Sequence, residues 1–437
     1  GSTCSPVVHG RKSEMGLAVI ILFITLFMLG FPVVASILIP CVGYILMEGL
    51  PLEMIAQRMQ YALDSYTLAA VPLFILVGNL MNSSGITTRM FHFADKAVGR
   101  FPGGLAQVNI FASLVFSGMS GAALADVGGL GQVEIKAMKE KGFSVPYAAG
   151  LTVASATVGP IFPPSIPLVL YGSIAGVSVI KLLLSGIMPA ILAVIAMMAL
   201  TAFLALVRKY PRAERWPSLK ELWVAFYPAS PALMTPVLLI VGMLTGIFTP
   251  TEASSITVLW VLVISLLYRE LTLEGTITAL VETIKSSSAV LIIVAAASLF
   301  GWILAVEQIP QMFSTFLLSI SSNPLVLLAI LNVLLLVCGM ILDSTTSILL
   351  LVPIIIPPLV AVGIDPIHLG IIFVFNIMIG LITPPMGLSL FMVSKIANVS
   401  IKSVVKEVAP YYIPLVATLL VITYMPALIL WIPNMLK

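Results

Sequence analysis

The sequence predicts an all-α polytopic membrane protein built from two inverted repeats, each of five transmembrane spans plus one re-entrant hairpin. Three observations carry this. The chain is 60% hydrophobic and 9% charged, with a mean hydropathy of +1.16. That composition fits many apolar segments of spanning length set in a lipid bilayer, not a globule in water. Second, a single offset of 221 positions lays Gly118-Met119 on Gly339-Met340, Gly142 on Gly363, Gly159 on Gly380, Ile161 on Ile382 and Pro163-Pro164 on Pro384-Pro385. Third, basic residues change sides between the halves. Arg89, Lys96 and Arg100 precede the Gly118 segment and Lys136, Lys139 and Lys141 follow it, whereas 307–323 and 352–368 hold no Lys or Arg. Beyond the proline pairs the bias reverses, with Lys395, Lys402 and Lys406 against Lys181 alone. Lys and Arg near span ends collect on the cytoplasmic side, so the repeats read as inverted.

Residues 1–14 are polar, precede Met15-Gly16-Leu17 and read as an expression remnant outside the fold. The first repeat, 15–210, opens with scaffold spans in 16–47 joined by the tight Gly30-Phe31-Pro32 turn. An amphipathic arm at 51–64 lies along the interface, and a span at 67–82 leads to a second polar arm at 87–100. Arg100 and Lys136 belong to one side, and 101–135 is too short for two spans of about 20 residues each. It reads as a hairpin entering from the cytoplasm. A broken span at 145–178 and a span at 182–207 complete the repeat, and 211–226 forms a polar cytoplasmic linker. The second repeat, 227–437, has spans in 227–268, an arm at 273–285, a span at 287–304, a hairpin at 324–352, a broken span at 366–394 and a final span at 408–432. This path puts both termini in the periplasm.

The broken spans owe their name to Ile161–Pro167, which holds three prolines, and to Ile382-Thr383-Pro384-Pro385-Met386. Proline lacks the backbone donor that a helix needs and clashes with the preceding turn, so each segment must unwind. Unwound backbone at membrane depth persists only inside protein or beside a watery cavity. Two breaks facing two hairpin tips are the layout of a secondary transporter. The same prolines read alternatively as plain kinks.

For substrate, the candidate contacts are Ser117, Ser120, Ser165, Thr383 and Pro385. A hard Na+ wants several oxygens, and the candidates for it are Ser117, Gly118, Ser120, Gly159, Pro160, Asp343, Thr346, Gly380, Thr383 and Met386, with more than one ion expected. Asp343 reads as an ion ligand or as a helix cap, and Asp126 as the cap of the returning helix or as a functional carboxylate. Thr249 and Glu252 read as a capping box. The transport region has no Lys or Arg, so an anionic substrate must be met by helix N-termini, hydroxyls and bound cations. The net charge of +3 is too small to imply nucleic acid, and three cysteines frame no disulfide scaffold.

Two other classes compete. Gly118-Met119-Ser120-Gly121 fits an intramembrane serine protease using Ser120, but that chemistry needs a base within reach, and neither His92 nor His368 falls at the tip. A passive channel is the other; inverted hairpins favour a carrier.

Five motifs, Ser117–Asp126 (SGMSGAALAD), Gly159–Pro167 (GPIFPPSIP), Gly246–Ala253 (GIFTPTEA), Gly339–Asp343 (GMILD) and Gly380–Gly387 (GLITPPMG), together resemble the large membrane (M) subunit of tripartite ATP-independent periplasmic (TRAP) transporters. The resemblance covers 15–437. It implies no enzyme but Na+-coupled uptake of a small organic acid across the bacterial inner membrane, with scaffold and elevator transport domains. The implied partners are a small four-helix (Q-type) membrane subunit and a periplasmic (P-type) substrate-binding protein. A sodium/carboxylate carrier working without a binding protein is the nearest alternative. Met119 stands where many members have another serine.

Overall fold

The computed structural model describes residues 6–212 and 215–435; the side chains of 6–13 and of Ser117 lie outside that description. Among the described residues the regular structure is entirely helical. Eight helices among the described residues are long and apolar enough to cross a membrane.

Helix α1 (Pro6–Met28) takes in residues 6–14 of the expected leader, and residues 1–5 lie outside the described residues. It turns through Gly30 into α2 (Val33–Met47). Gly30 has φ +87° in open space, so its handedness, not a lack of room, calls for glycine. The arm α3 (Glu53–Leu63) buries none of its residues. After a 3-10 turn at Tyr66–Ala69 come α4 (Ala70–Ser83) and α5 (Ile86–Val98). The first hairpin runs down α6 (Leu105–Ser120) and back through α7 (Ala123–Gly128) and α8 (Leu130–Glu140). The first broken helix is α9 (Val145–Ser155), a 3-10 turn at Ala156–Val158, the proline segment, and α10 (Ile166–Ala175). Helices α11 (Val179–Ser185) and α12 (Ile187–Arg208) close this half.

Two reciprocal caps start the second half. Ser218 and Glu221 cap α13 (Leu219–Leu244), and Thr249 and Glu252 cap α14 (Pro250–Leu267) with the box read from the sequence: the Thr249 N–H donates to Glu252 at 2.8 Å and the Glu252 N–H to Thr249 at 3.3 Å.

Where an arm at 273–285 and a span at 287–304 are expected, there is one helix of 34 residues, α15 (Leu273–Val306). Its polar residues do not end it because they bond along it: Thr283 donates to the Ala279 carbonyl at 2.7 Å and Ser287 to that of Thr283 at 2.5 Å. It is followed by the short helix α16 (Ile309–Ile320), which packs on α18.

The second hairpin, α17 (Pro324–Ile341) and α18 (Ser344–Ala361), outruns the expected 324–352 because α18 continues through Pro353, Pro357 and Pro358. Each arm has 18 residues and is long enough by length and composition to cross a bilayer. Helix α19 (Pro366–Gly380), the second proline segment and α20 (Leu388–Ala397) form the second broken helix. The chain ends in α21 (Ile401–Val408), α22 (Tyr412–Tyr424) and α23 (Pro426–Asn434).

Packing ties the halves together as well as each half to itself. The descending arm of each hairpin lies on the first segment of its own broken helix, α6 on α9 and α17 on α19, while α15 runs beside α2, α3, α4 and α18. Arg208 pairs with Glu407 at 2.6 Å, and a groove lined by Asp95, Gly104, Lys141 and Arg212 gathers the base of the first hairpin against 211–212. Arg89 bridges to Glu270 at 2.6 Å with its guanidinium 4.2 Å from the centre of the Tyr268 ring, and that bond holds its proton more tightly than usual. Because both partners are part-exposed, Arg89→Ala is expected to cost only about 1 kcal/mol or less in thermal unfolding.

Candidate functional site

The two proline segments hold their hairpins in the same way. In the first half, the Ile166 N–H donates to the Gly121 carbonyl at 3.2 Å; in the second, the Gly387 N–H donates to the Met340 carbonyl at 3.3 Å. Gly121, with φ +62°, also has no room, since a Cβ there would stand 2.7 Å from the Pro164 carbonyl oxygen. Both Pro–Pro bonds are cis.

Their surroundings differ. Pro163, Pro164 and Ser165 are buried, whereas Pro384, Pro385 and Met386 are exposed. Ser165 caps α10 by accepting from the Leu168 N–H at 3.1 Å and donates to the Pro160 carbonyl, so the oxygen freed there is already satisfied. Ser165→Ala removes both bonds and is expected to cost about 1–2 kcal/mol, read by thermal unfolding. In the second segment the Thr383 hydroxyl donates to the Ile379 carbonyl at 2.7 Å, and the Tyr412 hydroxyl to that of Ile382 at 2.6 Å.

Asp343 is the N-cap of α18. One carboxylate oxygen accepts the N–H groups of Thr345 at 2.9 Å and Thr346 at 3.1 Å, and the other accepts the Thr346 hydroxyl. This is the capping role, and it turns the carboxylate toward the tip of the second hairpin. Asp126 does not cap the returning helix: Ala122 holds that position, and Asp126 lies within α7 at 1% exposure.

A cavity of about 600 Å3 brings the parts together. The first hairpin contributes Ser120, Ala122 and Gly129; the first proline segment Pro160, Ile166 and Pro167; the second hairpin Asp343, Ser344 and Thr345; and the second broken helix Leu381. Helix α4 adds Asn79 and Asn82, and α15 adds Glu282 and Ser286. The lining carries two carboxylates and no Lys or Arg. Glu282 is itself held by Lys285 at 2.8 Å.

Of the residues singled out from the sequence, Ser120, Pro160 and Asp343 line this cavity. Gly118 faces elsewhere, with Pro236 and Phe162 against it, and Gly380 faces Gly339. Gly159, Ser165, Thr346, Thr383, Pro385 and Met386 are not in the lining, and the Ser117 side chain lies outside the described residues. Sequence reasoning missed Asn79, Asn82, Glu282 and Ser286. Their spacings of three and four put each pair on one helix face, a signal visible in hindsight on α4 and α15. A second cavity of about 550 Å3, lined by Asp64, Ser65, Ser173, Ser298, Gly301 and Pro353 among others, lies farther along α15.

The geometry gives no hydrolase. The Ser120 hydroxyl is buried without a hydrogen-bond partner, and the His368 ring lies 2.8 Å from the Ile422 carbonyl. Among the described residues no cluster of three His, Cys, Asp or Glu could hold a metal ion.

A many-spanned helical protein whose hairpins and interrupted helices converge on one cavity is an integral membrane permease. The comparisons with known proteins give the family. Residues 20–428 match the tripartite ATP-independent periplasmic transporter, DctM component, and the chain belongs to that family. It is 43% identical to the sialic acid TRAP transporter large permease protein SiaM of Vibrio cholerae, over 93% of this chain and 95% of that one. It is 38% identical to the sialic acid TRAP transporter permease protein SiaT of Haemophilus influenzae, over 97% of this chain and 69% of that one. In fold it is similar to the YdaH transporter of Alcanivorax borkumensis, with a TM-score of 0.63 at 15% identity, covering 85% of this chain and 87% of that one. The protein is therefore a multi-pass inner-membrane subunit of a secondary transporter for organic acids, and not an enzyme.

Proposed function

We propose that this subunit carries out Na+-coupled uptake of a small organic acid of the sialic acid class, delivered by a periplasmic binding protein, with a small four-helix membrane subunit as partner. One observation carries the reading: both hairpins and both broken helices meet at a single cavity whose charged lining groups are Asp343 and Glu282. Glu282 is paired with Lys285, so Asp343 is the lining charge without an ion-pair partner among the described residues, and it favours an anion that enters together with cations. The Ser120 hydroxyl, unpaired in the wall, and the Asp343 carboxylate are oxygen donors of the hard kind that Na+ takes. The substrate class rests on the names of the two sialic acid relatives.

The motion belongs to the same reading. The hairpins and broken helices pack on each other, while α15 and α4 form the opposite wall, so the former can move as one body along the latter. The base of the first hairpin, where Lys141 lies with Arg212 in one groove, is read as cytoplasmic.

The test is uptake by proteoliposomes holding this subunit and its membrane partner, supplied with loaded binding protein. Sialic acid is expected to accumulate under an inward Na+ gradient. Uptake that survives replacement of Na+ by choline sinks the coupling, and uptake that needs no binding protein favours the simpler carboxylate carrier.

A further inference from the structure

The first hairpin buries two acids that the transport reading does not use. Asp126 of α7 is 1% exposed and Glu134 of α8 is 0% exposed, and Asp126 lies within electrostatic reach of Glu134. Asn109 of α6 donates to one Glu134 oxygen at 2.7 Å, and the Thr152 hydroxyl of α9 lies 3.4 Å from it. The other Glu134 oxygen is buried without a hydrogen-bond partner, and the buried Asp126 carboxylate has the Ser113 hydroxyl of α6 beside it as a donor. Ser155 donates to Asn109 at 2.8 Å, which fixes the amide so that its NH2 group points at Glu134.

Nothing cationic balances the pair. Among the described residues neither carboxylate enters an ion pair. The elements packed against α7 and α8 are α6, α9, the 3-10 turn at Ala156–Val158 and α20. On these, α6 and the turn carry no titratable side chain, Tyr147 of α9 is bonded to Tyr411, and Lys395 of α20 is exposed. On α8 itself Lys136, Lys139 and Glu140 are exposed.

Packing does not demand these acids. At the offset that aligns the halves, Asp126 and Glu134 fall on Ser347 and Ile355, while Asn109, Ser113 and Thr152 fall on Ile330, Leu334 and Phe373. The second half thus carries no acid at the same places, and its polar contact there is neutral, between Asn376, where Ser155 falls, and Asn332 of α17. Two buried carboxylates that repel each other cannot both stay ionised in a protein interior without a cationic partner.

We propose that Asp126 and Glu134 form a proton-binding site that holds one proton inside the first hairpin, on one acid or the other. With that proton in place the hairpin interior carries a single negative charge rather than two. The site is separate from the tip residues considered for Na+, and the proposal holds whatever solute the protein carries.

Infrared spectroscopy of the purified full chain tests this, reading the C=O stretch of protonated carboxylic acid as pH is varied, in choline and in Na+ buffers. The wild type is expected to show the band at neutral pH with equal height in both salts. Glu134→Gln removes the neighbouring charge and is expected to shift the titration of the remaining acid to lower pH. The double variant Asp126→Asn with Glu134→Gln is expected to lose this component, while Glu307→Gln, which alters the buried carboxylate bonded to Tyr44, leaves it. Absence of the band at neutral pH, its persistence in the double variant, or its suppression by Na+ each overturns the proposal. Should the double variant not fold, the downward shift in Glu134→Gln decides, and an unshifted titration overturns it.

Discussion

Gly380→Val is expected to abolish uptake and to lower the yield of folded protein sharply. A Cβ at Gly380 would stand 2.5 Å from the carbonyl carbon of Gly339 and 2.6 Å from its Cα. These are backbone atoms, which cannot swing aside as a side chain can. Overpacking in an ordinary core costs about 1–3 kcal/mol, and here the whole of α17 must leave α19, taking the tip of the second hairpin away from the cavity. Gly301→Ala is the matched control. Its Cβ would meet only Pro353 at 3.7 Å, an ordinary contact, so that variant is expected to fold normally and to gain about 0.5–1 kcal/mol from helix propensity. Fluorescence-detected size exclusion gives folded yield, and proteoliposome uptake gives function.

Asp343→Asn is expected to fold nearly as well as the wild type and to need far more Na+ for half-maximal uptake. Asparagine keeps an oxygen for the N–H groups of Thr345 and Thr346 and ranks with aspartate as a cap, but it removes one of the two carboxylates from the cavity. Asp343→Ala loses cap and charge together, adding about 1 kcal/mol of destabilisation. Comparing the two separates the cap from the charge. If Asn leaves the sodium dependence unchanged, Asp343 is a cap alone.

Much of this was legible in the sequence because proline and glycine act locally. Pro163-Pro164 and Pro384-Pro385 interrupt helices wherever they stand. Thr249 and Glu252 declare a cap at their own spacing. What escaped was set by packing. The polar face of 273–285 looks like an interfacial arm, yet Thr283 and Ser287 bond within the helix and let it run on. Ser165 looked like a free hydroxyl, but the Pro160 carbonyl and the Leu168 N–H take up its bonding capacity. Asn79 and Glu282 come from distant parts of the chain, and only the fold turns both toward the same space.

Helix α15 sets a length scale. Glu282 lines one cavity and Gly301 the other, and at about 1.5 Å of rise per residue they lie about 28 Å apart. That is close to the thickness of the hydrocarbon core, about 30 Å. The two linings together therefore occupy most of one helix, from Glu282 to Gly301, yet the cavities nearly meet along it, with Val290 of the first only about one turn from Val294 of the second.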